Sequence, residues 1–292
     1  MGKFKFGVSL RFTTGRDEWV AKVRRAEALG YDVISVPDHL GKGRLAPFPA
    51  LAFAAAVTER PRLGTLVMNV PFYNLALFAR DVSATTTLCG GRFELGIGAG
   101  HMKAEFDEAG LPWTPARERI AFLENSIGEL RKHLDDEGAE MPPLLIAGNS
   151  DGVLSLAARH SDIVGFAGLR QAPGKPPGTF HLDDAEAVDG RVAHFREQAG
   201  ARADDVEANM LVQKVVVTDD RRAGAQAWLD EIPGLNLGVD QLLETPQLLL
   251  GTIDEIVAQL VARRERYGFS YLTVFEPYME AFAPVLTELA GQ

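Results

Sequence analysis

Short apolar segments alternate with longer segments of helical periodicity along the whole chain, and this alternation restricts the fold more than any other feature. Phe4 to Leu10 is strand-like. Asp17 to Leu29 then shifts to helical spacing, with Trp19, Val20, Val23, Ala26 and Leu29 able to share one face until Gly30 stops the helix. The strand pattern returns at Asp32 to Val36, Leu63 to Met68, Phe93 to Ile97, Leu144 to Ala147, Ile163 to Phe166, Glu207 to Thr218 and Tyr271 to Phe275, with helical runs between. Strands joined through helices pair in parallel. About eight such units in 292 residues predict a closed (β/α)8 TIM barrel as a single domain over residues 1–292. An open doubly wound sheet with a helical tail is the alternative. Only the Pro/Gly/Lys-containing stretch 168–181 lacks a core-forming pattern, and it is predicted to be a flexible loop.

Composition narrows the function classes. With 46% hydrophobic and 24% charged residues the chain is globular, and a net charge of -10 with pI near 5.2 argues against nucleic acid or an anionic membrane as partner. Met1 to Leu10 opens on strand alternation without an apolar signal core, so a cytoplasmic protein is expected. Cys89 is the single cysteine, which excludes an intrachain disulfide and a cysteine-cluster metal site; packing is its expected role.

In a barrel, function collects where strands end at their C-terminal side. Those ends bring together Arg11, Asp38 and His39, Asn69, Gly98 to His101, Gly148 to Ser150, Gly168 to Lys175 with Arg170, Gln213 and Glu276. Adjacent Asp38 and His39 can aim a carboxylate at a ligand and an imidazole at a reacting atom, and histidine suits proton transfer near neutral pH. The pair reads equally as a turn-capping Asp beside a surface His. Gly148-Asn149-Ser150 precedes a helix, so it either binds an anion at free backbone N–H groups or simply caps that helix. Glu276 is either catalytic or the partner of a nearby cation.

The stretch Arg92 to His101 carries Gly96, Gly98 and Gly100 at alternate positions. A dinucleotide fingerprint would need its third glycine where His101 stands, so the stretch reads as the exit of the fourth strand, bare where a planar ligand lies against backbone. No nucleophile elbow, His-Glu-x-x-His or Walker loop is present, and no metal site is predicted. A glycine-lined pocket with few catalytic groups points to an organic cofactor that carries the difficult chemistry.

Several motifs together resemble the bacterial luciferase-like superfamily, in its branch of oxidoreductases that use the deazaflavin coenzyme F420. They are Ala26-Glu27-Ala28-Leu29-Gly30-Tyr31-Asp32, Val36-Pro37-Asp38-His39-Leu40, Ala79-Arg80 to Thr87 followed by Gly90 to Gly100, Ile146 to Ser150, and Gly251-Thr252-Ile253-Asp254-Glu255-Ile256. The resemblance implies a luciferase-like barrel, a hydride-carrying cofactor in its mouth and a homodimer. It places Asp38 and His39 at the ring, Gly98, Ala99, Gly100 and His101 along it, and Gly148, Asn149 and Ser150 near the phosphate. It also implies a non-proline cis peptide in strand three near Leu66-Val67-Met68, supporting the ring. The expected activity is hydride transfer between F420 and a small organic substrate, with His39 as proton donor or acceptor. An FMN-dependent monooxygenase and a non-catalytic flavin- or deazaflavin-binding barrel are the alternatives.

Two departures from the pattern are visible. The sugar-phosphate dehydrogenase branch has an acid after the glycines and a tryptophan soon after Asp-His, whereas this chain has His101 and Leu40-Gly41-Lys42-Gly43, so sugar-phosphate oxidation is not expected. Relatives insert a longer segment before strand five than Asp135 to Met141, which predicts a more open mouth.

Overall fold

The computed structural model describes residues 2–232 and 234–292. Its strands in chain order are β1 (Lys5–Ser9), β2 (Val33–Val36), β3 (Arg62–Thr65), β4 (Met68–Asn69), β5 (Phe93–Gly98), β6 (Leu144–Ala147), β7 (Ile163–Phe166), β8 (Leu169–Gln171), β9 (Phe180–Leu182), β10 (Glu207–Leu211), β11 (Lys214–Val217), β12 (Leu248–Gly251) and β13 (Phe269–Phe275). Parallel pairing runs β3-β2-β1-β13-β10-β7-β6-β5, and β3 pairs again with β5 through Leu63 and Phe93, so the sheet closes. Short β4 continues the stave of β3 and pairs with β5 at Met68–Ile97 and Asn69–Gly98. Eight staves therefore form a closed parallel barrel with helices around it, as the alternation predicts.

The main core fills the space between staves and helices. Val8, Ile34, Leu63, Leu95, Ile146, Val164, Met210 and Val274 of successive staves are all buried, against helical residues such as Val23, Leu51, Val82, Leu123, Leu154 and Leu260. Cys89 belongs to this core, and burial pushes its thiol up to about 11, which keeps it protonated and inert at neutral pH. No helix among the described residues is long and apolar enough to cross a membrane.

The N-terminal end of the barrel is closed by a charged network. Glu94 is 3% exposed; it accepts from the Tyr271 hydroxyl at 3.1 Å and lies 3.7 Å from Lys5 Nζ and 3.6 Å from Arg62 Nε. Burial pushes its carboxyl up, while Lys5 and Arg62 hold it down. Removing the carboxylate leaves Arg62 without its carboxylate partner, while Lys5 keeps Glu207, and takes the Glu94 acceptor away from the buried Tyr271 hydroxyl. Glu94→Ala is therefore expected to cost about 3 kcal/mol in denaturant unfolding, the lower range for breaking a buried pair; an unchanged midpoint would show that the network contributes nothing.

Two segments differ from the sequence expectation. Glu207 to Thr218 is two strands: Val212 N–H still bonds Thr273 O at 2.8 Å, but Gln213 N–H turns to Gln247 O at 2.8 Å, and β11 pairs with β12 outside the barrel. Apolar alternation runs through this hand-over without Gly or Pro, so periodicity does not mark it. The stretch 168–181 holds β8 and β9 as an antiparallel hairpin. Its base is tied by Asp183 N–H to Gly168 O at 2.8 Å and by reciprocal 2.9 Å bonds between Leu182 and the Asn236 amide. Leu182 also enters a satellite core with Trp228, Leu242, Leu248 and Leu250.

Candidate active site

Asp38 and His39 leave the end of β2 with separate jobs. The Asp38 carboxylate is buried and accepts from Asn69 N–H and the Tyr73 hydroxyl, each at 3.0 Å, and its own N–H reaches Val67 O at 3.4 Å. Burial raises its pKa, opposed by those two donors. Asp38 thus ties the second stave to the third, and Tyr73, which the sequence reading does not single out, completes the tie. The Leu66-Val67 peptide between β3 and β4 is cis, in the place the resemblance implies.

His39 faces the mouth. Its Nδ1 lies 2.9 and 3.1 Å from the two oxygens of Glu105, on the short helix Lys103–Glu108 that follows the glycine stretch. Among the described residues Nε2 makes no hydrogen bond. Burial pushes the imidazole down to about 4, and the cations of Arg44 and Arg11 push the same way, so the ring is neutral at pH 7. A neutral ring whose Nδ1–H is held by Glu105 leaves its lone pair on Nε2. Glu105 is itself raised by burial, with His101 and Arg44 opposing.

The glycine strand packs on stave three. A Cβ on Gly96 would overlap the Thr65 carbonyl oxygen and lie 3.2 Å from Val67 Cγ1; one on Gly98 would lie 2.9 Å from Val67 Cγ2. At Gly100, where φ is +74°, it would lie 2.8 Å from the Phe106 ring. Packing within the barrel is by itself a sufficient reason for glycine at all three positions, without a ligand. The Ala99 carbonyl accepts from Arg119 Nε at 3.1 Å, which fastens the exit of β5 to the helix Ala116–Glu137. His101 sits at the exposed rim, its ring 5.6 Å edge-on from His39 and 5.4 Å from Phe180 of the hairpin. The hairpin therefore leans on the mouth from the β7 side, where the short Asp135 to Met141 connection predicts an open rim.

The remaining strand ends are mostly committed to the protein itself. Ser150 Oγ caps the helix Asp151–His160 by accepting from Val153 N–H at 3.4 Å, and the Asn149 amide nitrogen donates to Leu169 O. Glu276 pairs with Lys22 at 2.6 Å, the second of its two readings. Gln213 donates to Ala167 O at 2.9 Å, and Arg170 lies 3.2 Å from Asp183. Two polar atoms stand out against this. Asn69 Oδ1 and Asn149 Oδ1, on the staves flanking β5, are buried with no hydrogen-bond partner among the described residues. Two buried acceptors without donors fit a cofactor that brings N–H and hydroxyl donors into the mouth.

A family model described as luciferase-like monooxygenase matches residues 4–236. The chain belongs to the luciferase-like monooxygenase family. Within reach of this family member, the F420-dependent glucose-6-phosphate dehydrogenase of Kribbella flavida is 30% identical over 88% of this chain and 83% of that one. Among solved structures, an F420-dependent secondary alcohol dehydrogenase in complex with an F420-acetone adduct superposes with a TM-score of 0.75 at 16% identity, covering 99% of both chains. The coenzyme F420 dependent tetrahydromethanopterin reductase of Methanopyrus kandleri gives 0.67 at 15% identity, covering 98% of this chain and 97% of that one. At such identities the structural likeness establishes the fold, which is the luciferase-like TIM barrel.

Proposed function

We propose that this luciferase-like barrel is an F420-dependent oxidoreductase that moves a hydride between the cofactor and a small organic substrate, working in the cytoplasm as a homodimer, with a hydroxyl compound as the reduced substrate. The observation that carries this is the neutral His39 with Nδ1 held by Glu105 and Nε2 free at the mouth. The relative of 30% identity over most of both chains supports the choice of F420. Leu66, Val67, Asn69, Gly98, Ala99, Gly100 and His101 would border the deazaflavin ring, and Gly148, Asn149 and Ser150 its chain. When bound, F420 supplies the two-electron hydride acceptor.

The protein's part is proton handling and placement. As the carbinol hydride leaves, Nε2 of His39 takes the hydroxyl proton, and the imidazolium so formed is compensated by the Glu105 carboxylate. Asp38 holds the loop that carries His39 against stave three. The relative's sugar substrate is not carried over, because His101 stands where the sugar-oxidising branch has an acid.

A base that remains neutral down to about 4 gives a distinctive pH dependence. kcat/KM for alcohol oxidation should stay level as pH falls through the ordinary histidine value of 6.5, and drop only near pH 4. Glu105→Gln should reduce kcat by at least about tenfold and move the acid limb lower still, since an uncompensated imidazolium forms less readily. A half-drop at pH 6.5 in the wild type, or a Gln variant with unaltered profile, would contradict the pairing. The rival FMN monooxygenase, favoured by the description of the family model, predicts instead tighter FMN than F420 binding and oxygen consumption.

A further inference from the structure

Beside His39, on the side of the mouth away from β5 and β6, two arginines are left without carboxylate partners. Arg11 follows β1 and Arg44 ends the Gly41-Lys42-Gly43 turn after β2. The turn is stitched to the first stave by Thr13 N–H to Gly43 O at 2.9 Å. Both guanidiniums lie against the half-exposed Phe12 ring, Arg44 at 4.5 Å and Arg11 at 5.9 Å from its centroid, and Arg11 also covers Phe275 at 4.8 Å. Neither guanidinium hydrogen-bonds or ion-pairs with any described residue, and Arg44 Nη1 is buried without a partner. The neighbouring acids are occupied elsewhere: Glu276 accepts from Lys22 and from the Arg11 backbone N–H at 3.2 Å, and Glu105 holds His39.

Burial and then the Arg44 charge push the Arg11 guanidinium down, with Glu276 opposing them only in part, so this pair of cations set on aromatic faces in a chain of net charge -10 is an arrangement that an anion would stabilise. We propose that Arg11 and Arg44 form a subsite for an anionic group of the substrate, a carboxylate or a phosphate, which sets its hydroxyl-bearing carbon beside His39. This rests on the hydride-transfer reading for the chemistry, and it narrows the substrate to small hydroxy acids or hydroxyalkyl phosphates. The subsite lies at the ends of staves one and two, whereas the proposed cofactor chain lies at the end of β6, so the two anion positions are separable by mutation.

The test has one arm without turnover and one with it. Calorimetric titration of the cofactor-free protein with lactate and with inorganic phosphate should show binding of at least one, weakened about 10- to 100-fold in Arg44→Met and Arg11→Met, the range for a hydrogen bond to a charged group, and retained in Arg170→Met. In turnover with F420, lactate or glycerol 3-phosphate should exceed 2-propanol in kcat/KM, and Arg44→Met should remove that advantage through a raised KM for the anion. Binding that survives both variants, or that is lost only in Arg170→Met, overturns the subsite. Turnover of 2-propanol with no advantage for either anion overturns it too, and leaves the hydride-transfer reading standing. Anion binding lost in the Arg11 and Arg44 variants, in a protein that turns over nothing with F420, supports the subsite and sinks the reading of the reaction instead.

Discussion

His39→Ala is expected to lower kcat for F420-dependent alcohol oxidation by about 10²- to 10⁴-fold, the usual worth of a positioned general base, with cofactor affinity essentially unchanged. Hydride departure from a carbinol carbon leaves a protonated carbonyl unless the hydroxyl proton leaves with it. Nε2 is the acceptor that the mouth offers, since Nδ1 is taken by Glu105. The Asp38 carboxylate is engaged by Asn69 and Tyr73 and His101 stands at the rim, so neither can replace it in place. Stopped-flow reduction of bound F420 separates the two quantities. A variant that binds the cofactor normally and reduces it at the wild-type rate would move proton transfer away from His39.

Gly96→Ala is expected to destabilise the barrel by about 3 kcal/mol or more, the upper range for forcing a methyl into a packed interior. The added carbon would overlap the Thr65 carbonyl oxygen and press on Val67, and both are backbone-tied on stave three. Thr65 and Gly96 are further locked by reciprocal bonds, Thr65 Oγ1 to Gly96 O at 2.7 Å and Gly96 N–H to Thr65 Oγ1 at 2.8 Å, so neither strand can retreat without losing them. Gly128→Ala is the contrast. Its Cβ would meet nothing within 4 Å on the helix Ala116–Glu137, and it should stabilise by up to about 1 kcal/mol through helix propensity. Equal unfolding midpoints for the two variants would remove the packing explanation of the glycine strand.

The stave positions were legible because each strand is short, apolar and followed by a helix whose stripe must face it. The same logic placed His39 and Asn69 at the mouth, since a strand end in a parallel barrel is a strand end in the site. Glu105 and Arg44 were not legible. Each sits in a connection whose path depends on tertiary contacts, the one on a helix of a turn and a half after the glycines, the other on a turn stitched to Thr13. Nothing in their spacing from Asp38-His39 marks them. The hairpin β8–β9 is not legible in the sequence for a related reason: its stability lies at its base, in Asn236 and Trp228 far along the chain, while its own residues have the composition of a loop. The alternation of Gly96, Gly98 and Gly100 was visible, yet its cause is a neighbouring stave that sequence spacing does not reveal.

The central claim is that a hydride passes from a hydroxyl-bearing carbon to F420 while His39 takes the proton. It is tested most directly by incubating the protein with F420 and a secondary hydroxy compound deuterated at the carbinol carbon, without oxygen, and weighing the cofactor by mass spectrometry. The account predicts reduced F420 carrying one deuterium, formed by the wild type and strongly slowed in His39→Ala. Unreduced F420 together with FMN-dependent oxygen uptake, or reduced F420 without the label, would contradict it.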